Sequence, residues 1–493
     1  MSVYLVQLML LCIIVQNVLL GKETTDGKLK YTKRDEEKFC TAKDNKHCTT
    51  PKCWGYEKNC VEGEDFYLPS CTDKGYSRNL DDQRRLFWQQ TGFGYVKKFI
   101  ESLHTVCASE TNSGTSLKCT KGWEYCRAKN LYIDLRNQKF DDTSNKYAKG
   151  FLKHSEIGGK CIIDNDFMLK EVRFDGELNA WKADFLNFGE MTASMNCDVT
   201  ITQPTIFMKL DSGFNLYHHF CDFVNLYASQ HINGSFNEDI NIVHWDPTNS
   251  NYFDLFEDVW PAFSKHPLSY LSKYKGKRVC FQDAIFSLPP RMPYGLFYNM
   301  PVALHCHGST FFEAFNEHLM DRLGISQDQF DKDIVRVTLL TRSTQYRRIL
   351  NRDELVGAMK RVKILNVTVV DYKYREMPFL EQMKRSHNSD ILIGMHGAGL
   401  THSLFQPHWG ALFELYNTED PDCYRDLANI RGVEYFTWEN KELLFQQDKG
   451  HHPTLGEHPK FTNYAFNVDE FMRILGKAVK GVLKRRQERT EIY

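Results

Sequence analysis

Two arginines and a glycine-rich turn in the last third of the chain have the chemistry to bind a diphosphate. Arg342 and Arg347 follow the apolar run IVRVTLL, while Gly397 and Gly399 follow the apolar run ILIG within GMHGAGLTH. A guanidinium group binds phosphate oxygens through two parallel hydrogen bonds. A glycine lets the backbone approach a ligand closely because it has no Cβ. Either feature alone is common in surface loops and tight turns, so only their combination indicates a binding site.

The elements that would hold these residues form an alternating pattern between residues 334 and 438. Short β-branched segments alternate with helical segments, which predicts a parallel, doubly wound sheet. Ligands of such sheets bind outside the carboxyl ends of the strands. His396 and Thr401, beside the glycines, are therefore candidates for the same site. Glu414 ends the next predicted strand and could hold a ribose diol.

A second polar group lies in DSGFNLYHHFCD, within a less regular α/β region. Asn215, His218 and Asp222 recur at helical spacing and would share one face of a helix. His218 could act as a general base oriented by Asp222, or Asp222 could itself be the base. The alternative is a half-buried histidine with a structural role. We predict two α/β halves, 131–325 and 326–493, of which the first would face an acceptor and the second a nucleotide.

A proline- and glycine-containing loop, DKGHHPT, carries His451 and His452 at its tip. They are candidates for contact with an acceptor, and we predict no metal site there because no third ligand is evident. The sequence contains no P-loop, no HExxH and no Gly-x-Ser-x-Gly, and so lacks the motifs of P-loop nucleotidases, zinc peptidases and serine hydrolases.

The N-terminal quarter resembles that of a secreted protein. Residues 1–21 are apolar and resemble a cleavable signal peptide, with an uncleaved membrane anchor as the alternative. A charged tail and a cysteine-rich region make up 22–130. Eight of the 15 cysteines lie between Cys40 and Cys126, which predicts a region stapled by disulfides.

Composition and sequons are consistent with a globular protein of the secretory route. Of the 493 residues, 42% are hydrophobic, and the formal net charge is -1. A large core is therefore possible, and bulk charge gives no case for nucleic acid as a partner. Asn233 and Asn366 begin two sequons for N-glycosylation.

The segments described above carry a resemblance to a known family. GMHGAGLTH with a following FELYN, the Arg-x-x-x-x-Arg run and GFNLYHHFCDF are similar to glycosyltransferase family 61. GLFYN, VDYKYRE, RGVEYFTW and QDKGHHPTLGEHPKFTNY are similar to one branch of that family. The likeness extends from about Asp81 to Gly481. It implies two Rossmann-like halves in a GT-B-like arrangement. It also implies inverting transfer of N-acetylglucosamine from UDP-GlcNAc to Ser or Thr hydroxyls of folded EGF-like repeats.

The resemblance also implies roles for individual residues, binding partners and a cellular compartment. The positions that match the family's nucleotide-facing segments and ribose position are Arg342, Arg347, His396, Gly397, Gly399 and Glu414. Asn215, His218 and Asp222 match its N-terminal motif. The implied acceptors are extracellular and Notch-like proteins, and the implied location is the lumen of the endoplasmic reticulum.

The chain departs from its relatives at two places. Close relatives carry an Asp-x-Asp where this sequence has Lys265 and Pro267, so this segment offers no acidic pair for a divalent metal. The chain ends in TEIY, without a KDEL-type retention signal. Two alternatives stay open: a catalytically inactive lumenal relative that binds EGF-like repeats, and a sibling transferase that acts on O-mannosyl glycans.

Overall fold

The computed structural model describes most of the chain after its N-terminal segment. The described residues are 56, 70–72, 79–111, 114–140, 150–174, 176–191, 196–248, 252–293, 295, 305–415, 422–452 and 454–490. The chain divides into two units, Met1–Lys52 and Cys53–Tyr493, and every described residue belongs to the second. The predicted signal peptide and the charged tail lie outside the described residues, as do Cys40, Cys48, Cys53 and Cys60.

Helices occur in both halves of the described chain. The α-helices are α1 (Leu80–Thr91), α2 (Phe93–Ser102), α3 (Asn165–Leu169), α4 (Lys182–Phe185), α5 (Leu216–Asn233), α6 (Thr310–Arg322), α7 (Arg352–Lys360), α8 (Phe379–His387), α9 (Cys423–Arg431) and α10 (Val468–Thr490). The 3-10 helices are Glu257–Ala262, Leu271–Tyr274, Ala398–Phe405, Lys441–Leu443 and Pro459–Phe461. None of the helices in the described ranges is long and apolar enough to cross a membrane.

The strands fall into two large sheets and three short pairs. Those before residue 310 are β1 (Ser70–Cys71), β2 (His104–Ala108), β3 (Ser116–Cys119), β4 (Cys126–Asp134), β5 (Ile157–Gly159), β6 (Ile162–Ile163), β7 (Phe188–Glu190), β8 (Val199–Ile201), β9 (Thr205–Met208), β10 (Asn241–His244), β11 (Ser269–Tyr270), β12 (Arg278–Phe286) and β13 (Cys306–His307). The later ones are β14 (Val335–Leu340), β15 (Leu365–Val370), β16 (Ile391–Gly394), β17 (Ala411–Glu414), β18 (Glu434–Thr437), β19 (Leu444–Gln446), β20 (His451–His452), β21 (Gly456–Glu457) and β22 (Tyr464–Phe466).

The C-terminal sheet has five parallel strands in the order β15-β14-β16-β17-β18. Its central strands are mostly apolar, and all their residues are buried except the half-buried Arg336, as expected when helices cover both faces of a parallel sheet. The alternation of strands and helices predicted for residues 334 to 438 is confirmed. The carboxyl ends of β14, β16 and β17 consequently lie along one edge.

The N-terminal sheet differs from the Rossmann-like half that we predicted. Its eleven strands are mixed: β9 is parallel to β10 and β12, whereas β4 is antiparallel to β12 and to β3. Two strands of the antiparallel part, β2 and β3, come from the cysteine-rich region, and β4 itself crosses residue 130, the boundary we predicted. The molecule is therefore a mixed α/β protein, and the GT-B-like arrangement stays a prediction.

Disulfides are present in the N-terminal region, as predicted, although their partners extend beyond it. The pairs are Cys71–Cys306, Cys107–Cys161, Cys119–Cys126 and Cys197–Cys280. Cys71 thereby ties the start of the described chain to the strand just before α6. Two further cysteines of the described chain, Cys221 and Cys423, belong to none of these four pairs.

The two predicted glycosylation sequons lie in different surroundings. Asn366 is exposed on β15, the edge strand of the C-terminal sheet, so this position is accessible to a glycan. Asn233 is the last residue of α5 and is half-buried, and Gly234 ends the helix in the left-handed conformation. Modification of either asparagine stays a prediction.

Helix α5 lies against the carboxyl edge of the C-terminal sheet. The ring of Phe220 on α5 is 5.1 Å from the ring of Phe405, at the end of the 3-10 helix that follows β16. The ring of Tyr217 is 6.1 Å from that of Tyr424 on α9. The two polar groups predicted from the sequence therefore occupy neighbouring parts of the molecule.

Candidate functional site

Two guanidinium groups converge on the glycine-rich turn, as the sequence predicts. Gly397 has φ +147°, and a Cβ placed on it would lie 2.7 Å from Arg342 Nη1 and 2.9 Å from Arg347 Nη1. Arg347 Nη1 also donates to the carbonyl oxygen of His396 at 2.8 Å. Glycine is required at this position because any side chain would displace both cations. At Gly399 a Cβ would make only an ordinary contact with Leu340, so its role in ligand approach stays a prediction.

The electrostatics of the two arginines favour an anionic ligand. Burial and, to a smaller extent, the positive charge of Arg342 together lower the pKa of Arg347 to about 10. Burial also lowers the pKa of Arg342. Within the described residues the buried Nε of Arg347 has no hydrogen-bond partner. Two neighbouring cations with an unused donor can be stabilised by a diphosphate, which would accept hydrogen bonds from both.

The segment 447–464 supports the loop that carries Arg347 through hydrogen bonds and a ring contact. Arg347 has φ +58°, which is unusual for a side chain of its size, and its N–H donates to the Thr462 carbonyl at 2.7 Å. The N–H of Arg348 donates to Asn463 Oδ1 at 2.9 Å, and the rings of Tyr346 and Phe461 are 5.3 Å apart. The strained backbone of Arg347 is thus maintained by this segment.

The two predicted loop histidines have different surroundings within the same segment. His452 is buried, and its Nδ1 accepts hydrogen bonds from the N–H groups of Thr454 and Leu455 at 3.1 and 3.2 Å. It therefore shapes the turn that follows it. His451 is exposed, paired with Glu457 in the β20–β21 ladder. Only His451 is open to an acceptor, and that contact stays a prediction.

Glu414 is engaged by protein groups at both of its carboxylate oxygens. His396 Nδ1 lies 2.6 Å from Oε1, and the Tyr435 hydroxyl donates to Oε2 at 2.6 Å. The residue is only 1% exposed. The carboxylate thus orients His396, and the predicted contact of Glu414 with a ribose stays a prediction. With Nδ1 bonded to Glu414, Nε2 is the ring nitrogen that His396 can offer to a ligand.

An aromatic path connects His396 with helix α5. The His396 ring is 5.1 Å from the ring of Tyr424, which in turn is 6.1 Å from Tyr217. Tyr424 and Thr401 are both buried, and burial raises the pKa of Tyr424 well above the ordinary value. Thr401 is a predicted donor-site residue, and its contact with a donor stays a prediction. The path brings the two halves of the candidate site together.

On the other side of that path, His218 is paired with Asp211. His218 Nδ1 lies 2.8 Å from Asp211 Oδ2, and Arg291 donates to both oxygens of Asp211 at 2.9 and 2.6 Å. Burial works to raise the pKa of Asp211, but the hydrogen bonds from His218 and Arg291 outweigh it and lower the pKa. The carboxylate is therefore ionised and orients an imidazole whose side chain is 26% exposed, as a general base requires.

The prediction that Asn215, His218 and Asp222 act together on one helical face is wrong about which side chains bond to one another. Asn215 is the N-cap of α5, and its Oδ1 accepts from the N–H groups of Tyr217 and His218 at 3.1 and 3.5 Å. Asp222 is almost completely buried and lies 3.0 Å from His219 Nδ1, rather than beside His218. Asn215 thus starts the helix, and Asp222 has no access to an acceptor. The candidate base is His218, with Asp211 as its orienting group.

Sequence reasoning missed a second buried cluster next to this pair. His219 is fully buried between Asp222 and Asp254, with His219 Nε2 3.2 Å from Asp254 Oδ2. The spacing of His219 and Asp222, three residues apart on a helix, was a signal for half of this cluster. Asp254 and Arg291 lie in distant loops, so nothing in the local pattern identified them.

The segment that lacks the acidic pair forms a surface ion pair. Lys265 Nζ lies 3.2 Å from Asp239 Oδ2, and His266 Nε2 lies 2.8 Å from Asp239 Oδ1. Pro267 provides no ligand. The described residues contain no group of three or more His, Cys, Asp or Glu side chains arranged to hold a metal ion. Near Gly397, the side chains of Arg342 and Arg347 offer positive charge to a ligand.

Comparisons with known proteins agree with the resemblance seen in the motifs. The family model described as Glycosyltransferase 61 matches residues 216–412. The EGF domain-specific O-linked N-acetylglucosamine transferase of Xenopus laevis is 50% identical over 429 residues, 86% of this chain and 81% of that protein. The proteins of the same name from Canis lupus familiaris and Drosophila melanogaster are 49% and 40% identical, over 90% and 88% of this chain and 86% and 85% of their own lengths. The chain therefore belongs to glycosyltransferase family 61.

Proposed function

We propose that this protein transfers N-acetylglucosamine from UDP-GlcNAc to a Ser or Thr hydroxyl of a folded EGF-like repeat, with inversion at the anomeric carbon. The observation that carries the donor half is the convergence of Arg342 and Arg347 on Gly397. The name shared by the similar proteins supports the sugar and the acceptor. In this proposal the two guanidinium groups hold the diphosphate, and His396 contacts the nucleotide or the sugar.

The acceptor half rests on His218. Its Nδ1 is bonded to Asp211, which leaves Nε2 as the nitrogen that can take a proton. Asp211 stabilises the imidazolium that forms, in the manner of a carboxylate that orients a catalytic histidine. The path through Tyr217, Tyr424 and His396 supports placing this base beside the donor.

The proposed step is a single displacement. The acceptor oxygen attacks the anomeric carbon and forms the new C–O bond as its proton moves to His218 Nε2. The bond between the anomeric carbon and the β-phosphate oxygen breaks, and UDP leaves with the electron pair. Arg342 and Arg347 stabilise the negative charge that develops on the diphosphate. This step needs no metal, since the cations are supplied by side chains.

We also propose that the reaction takes place in the lumen of the endoplasmic reticulum. The support is the four disulfides of the described chain, which persist in an oxidising compartment, together with the apolar start of the sequence. Folded EGF-like repeats of extracellular and Notch-like proteins would meet the enzyme there.

The test is a matrix of donors and acceptors. UDP-GlcNAc, UDP-GalNAc and UDP-glucose are each incubated with a folded EGF-like repeat, with the same repeat reduced and alkylated, and with an O-mannosyl peptide. The proposal expects transfer from UDP-GlcNAc to the folded repeat alone, and NMR of the product should show a β-linkage. Transfer to the O-mannosyl peptide instead would favour the sibling enzyme. Binding of the repeat without any transfer would favour the inactive relative.

A further inference from the structure

A buried histidine beside the candidate base has a carboxylate at each of its ring nitrogens. His219 Nδ1 lies 3.0 Å from Asp222 Oδ2, and Nε2 lies 3.2 Å from Asp254 Oδ2. An imidazole with an acceptor at both nitrogens carries a proton on both and is positively charged. Burial alone would lower the pKa of His219, but the two aspartates raise it to about 9. The cluster is therefore a buried cation between two anions.

The cluster is connected to the candidate base through the backbone. The two carboxylate oxygens of Asp222 lie 3.4 and 3.2 Å from the N–H of Asp211, which donates to them. The side chain of Asp211 is the group that orients His218. An unbroken series of hydrogen bonds thus leads from Asp254 through His219 and Asp222 to Asp211.

The surroundings of His219 exclude a direct contact with substrate. The residue is 0% exposed, and the rings packed against it are those of Phe223, Tyr252, Phe256 and Trp260. The Tyr252 hydroxyl lies 3.3 Å from His219 Nδ1, and Trp260 Nε1 donates to Asp254 Oδ2 at 2.8 Å. The charged groups that face the ring are thus Asp222 from its own helix and Asp254 from the loop before Glu257–Ala262. A group so enclosed can act only through its neighbours.

We infer that His219 is a positioning residue for the transfer step: held by Asp254, it fixes Asp222, which fixes the Asp211 backbone and so aims the Asp211 carboxylate at His218. This inference rests on the proposed function, in which His218 takes the acceptor proton. It assigns the adjacent histidines of GFNLYHHFCDF two different tasks, the first chemical and the second geometric.

The experiment compares His219→Gln with Phe223→Leu, a variant of a residue that packs against the same ring at 4.6 Å but makes no hydrogen bond to it. Both changes should lower the melting temperature, since both residues are buried. His219→Gln is expected to lower kcat by about tenfold or more, with the KM for UDP-GlcNAc changed by less than about threefold, because only the base is disturbed. Phe223→Leu should leave both constants within about twofold of the wild type. Asp254→Asn, which retains the size of the side chain, is the second variant and should lower kcat in the same way.

A readout that needs no turnover separates the inference from the proposed function. Nitrogen NMR of histidine-labelled protein, with the His218 signals assigned by His218→Gln, reports the hydrogen bond between His218 Nδ1 and Asp211. That signal should change in His219→Gln and Asp254→Asn and persist in Phe223→Leu. An unchanged His218 signal in the first two variants overturns the inference, as does a kcat equal to that of Phe223→Leu. If the variants show the expected signal changes but the wild type transfers no sugar, only the proposed function is contradicted.

Discussion

His396 and Glu414 form a buried pair across neighbouring strands, with 2.6 Å between Nδ1 and Oε1. The register of β16 and β17 brings the two side chains together, because Gly394, two residues before His396, lies opposite Glu414. The hydroxyl of Tyr435, on the next strand, holds the other carboxylate oxygen. The imidazole beside the arginines is therefore held in one orientation before any ligand arrives, and a binding site benefits from groups that need no rearrangement.

Glu414→Gln should weaken UDP binding. The variant removes the negative charge that orients His396 in a buried setting, and such a loss costs about 1–3 kcal/mol, or roughly fivefold to 150-fold in Kd. Isothermal titration with UDP measures it. Tyr435→Phe, which removes one hydrogen bond and keeps the carboxylate, should have a smaller effect. Equal Kd values for wild type and Glu414→Gln would show that His396 has no part in donor binding.

Gly397→Ala should weaken UDP binding more than it weakens the fold. The new methyl group would meet the ends of two arginine side chains, which can move away but then no longer converge. We expect a loss of about tenfold or more in affinity for UDP. Gly357→Ala, in helix α7 with only an ordinary contact at its Cβ, is the matched control and should bind as the wild type does.

Gly399→Ala tests the prediction that a ligand approaches the backbone closely at Gly399. The protein has room for the added methyl group at this position. A fall in UDP affinity without a fall in melting temperature would therefore report direct approach of the ligand to the backbone there. Unchanged affinity would limit that approach to Gly397.

The C-terminal sheet was predictable because its signals are local. Runs such as Ile391–Gly394 and Leu365–Val370 are apolar and β-branched, and a parallel sheet places their carboxyl ends at one edge. The convergence of Arg342 and Arg347 on Gly397 follows from that rule. In the N-terminal sheet, β12 pairs with β4 more than a hundred residues earlier, and no local pattern identifies such a partner.

The hydrogen-bond partners within the site were less predictable, because local sequence patterns do not identify them. Helical spacing placed Asp222 beside His218, but the partner of His218 is Asp211, in the loop before the helix. Helical periodicity carries no information about that loop. Glu414 ends a strand at the expected edge, yet Tyr435 and His396 occupy its oxygens, and only the tertiary packing of neighbouring segments reveals this.

Stability should fall as the pH rises from about 6.5 to about 9. The folded-state pKa of His219 is raised from 6.5 to about 9 because Asp222 and Asp254 outweigh its burial. The folded state therefore binds a proton more tightly than the unfolded state. The resulting contribution, on the order of 2–3 kcal/mol, is fully present below pH 6.5 and is lost as the pH passes through 9.

Thermal unfolding between pH 6 and pH 9.5 measures this effect. The melting temperature of the wild type should decline across that range, and the decline should be reduced in His219→Gln, which has no ionisable group at the position. A parallel decline in both proteins would assign the effect to other groups.

Activity should persist in the presence of a chelator. Lys265 and Pro267 offer no carboxylates, and Lys265 is itself paired with Asp239. The arginines near Gly397 can stabilise the leaving diphosphate, so excess EDTA should change the transfer rate by less than about twofold. A loss of activity that added Mn²⁺ or Mg²⁺ restores would show that a metal ion takes part.

The most direct test of the account is the intact mass of a folded EGF-like repeat after incubation with UDP-GlcNAc. The wild type should add one N-acetylhexosamine, and Arg348→Ala, which alters an exposed neighbour of the arginine pair, should do the same. Arg347→Ala and His218→Ala should each fold and leave the mass unchanged, the first because it cannot hold the diphosphate and the second because it cannot take the proton. Full transfer by Arg347→Ala would contradict the placement of the donor, and no transfer by the wild type would contradict the proposed function itself.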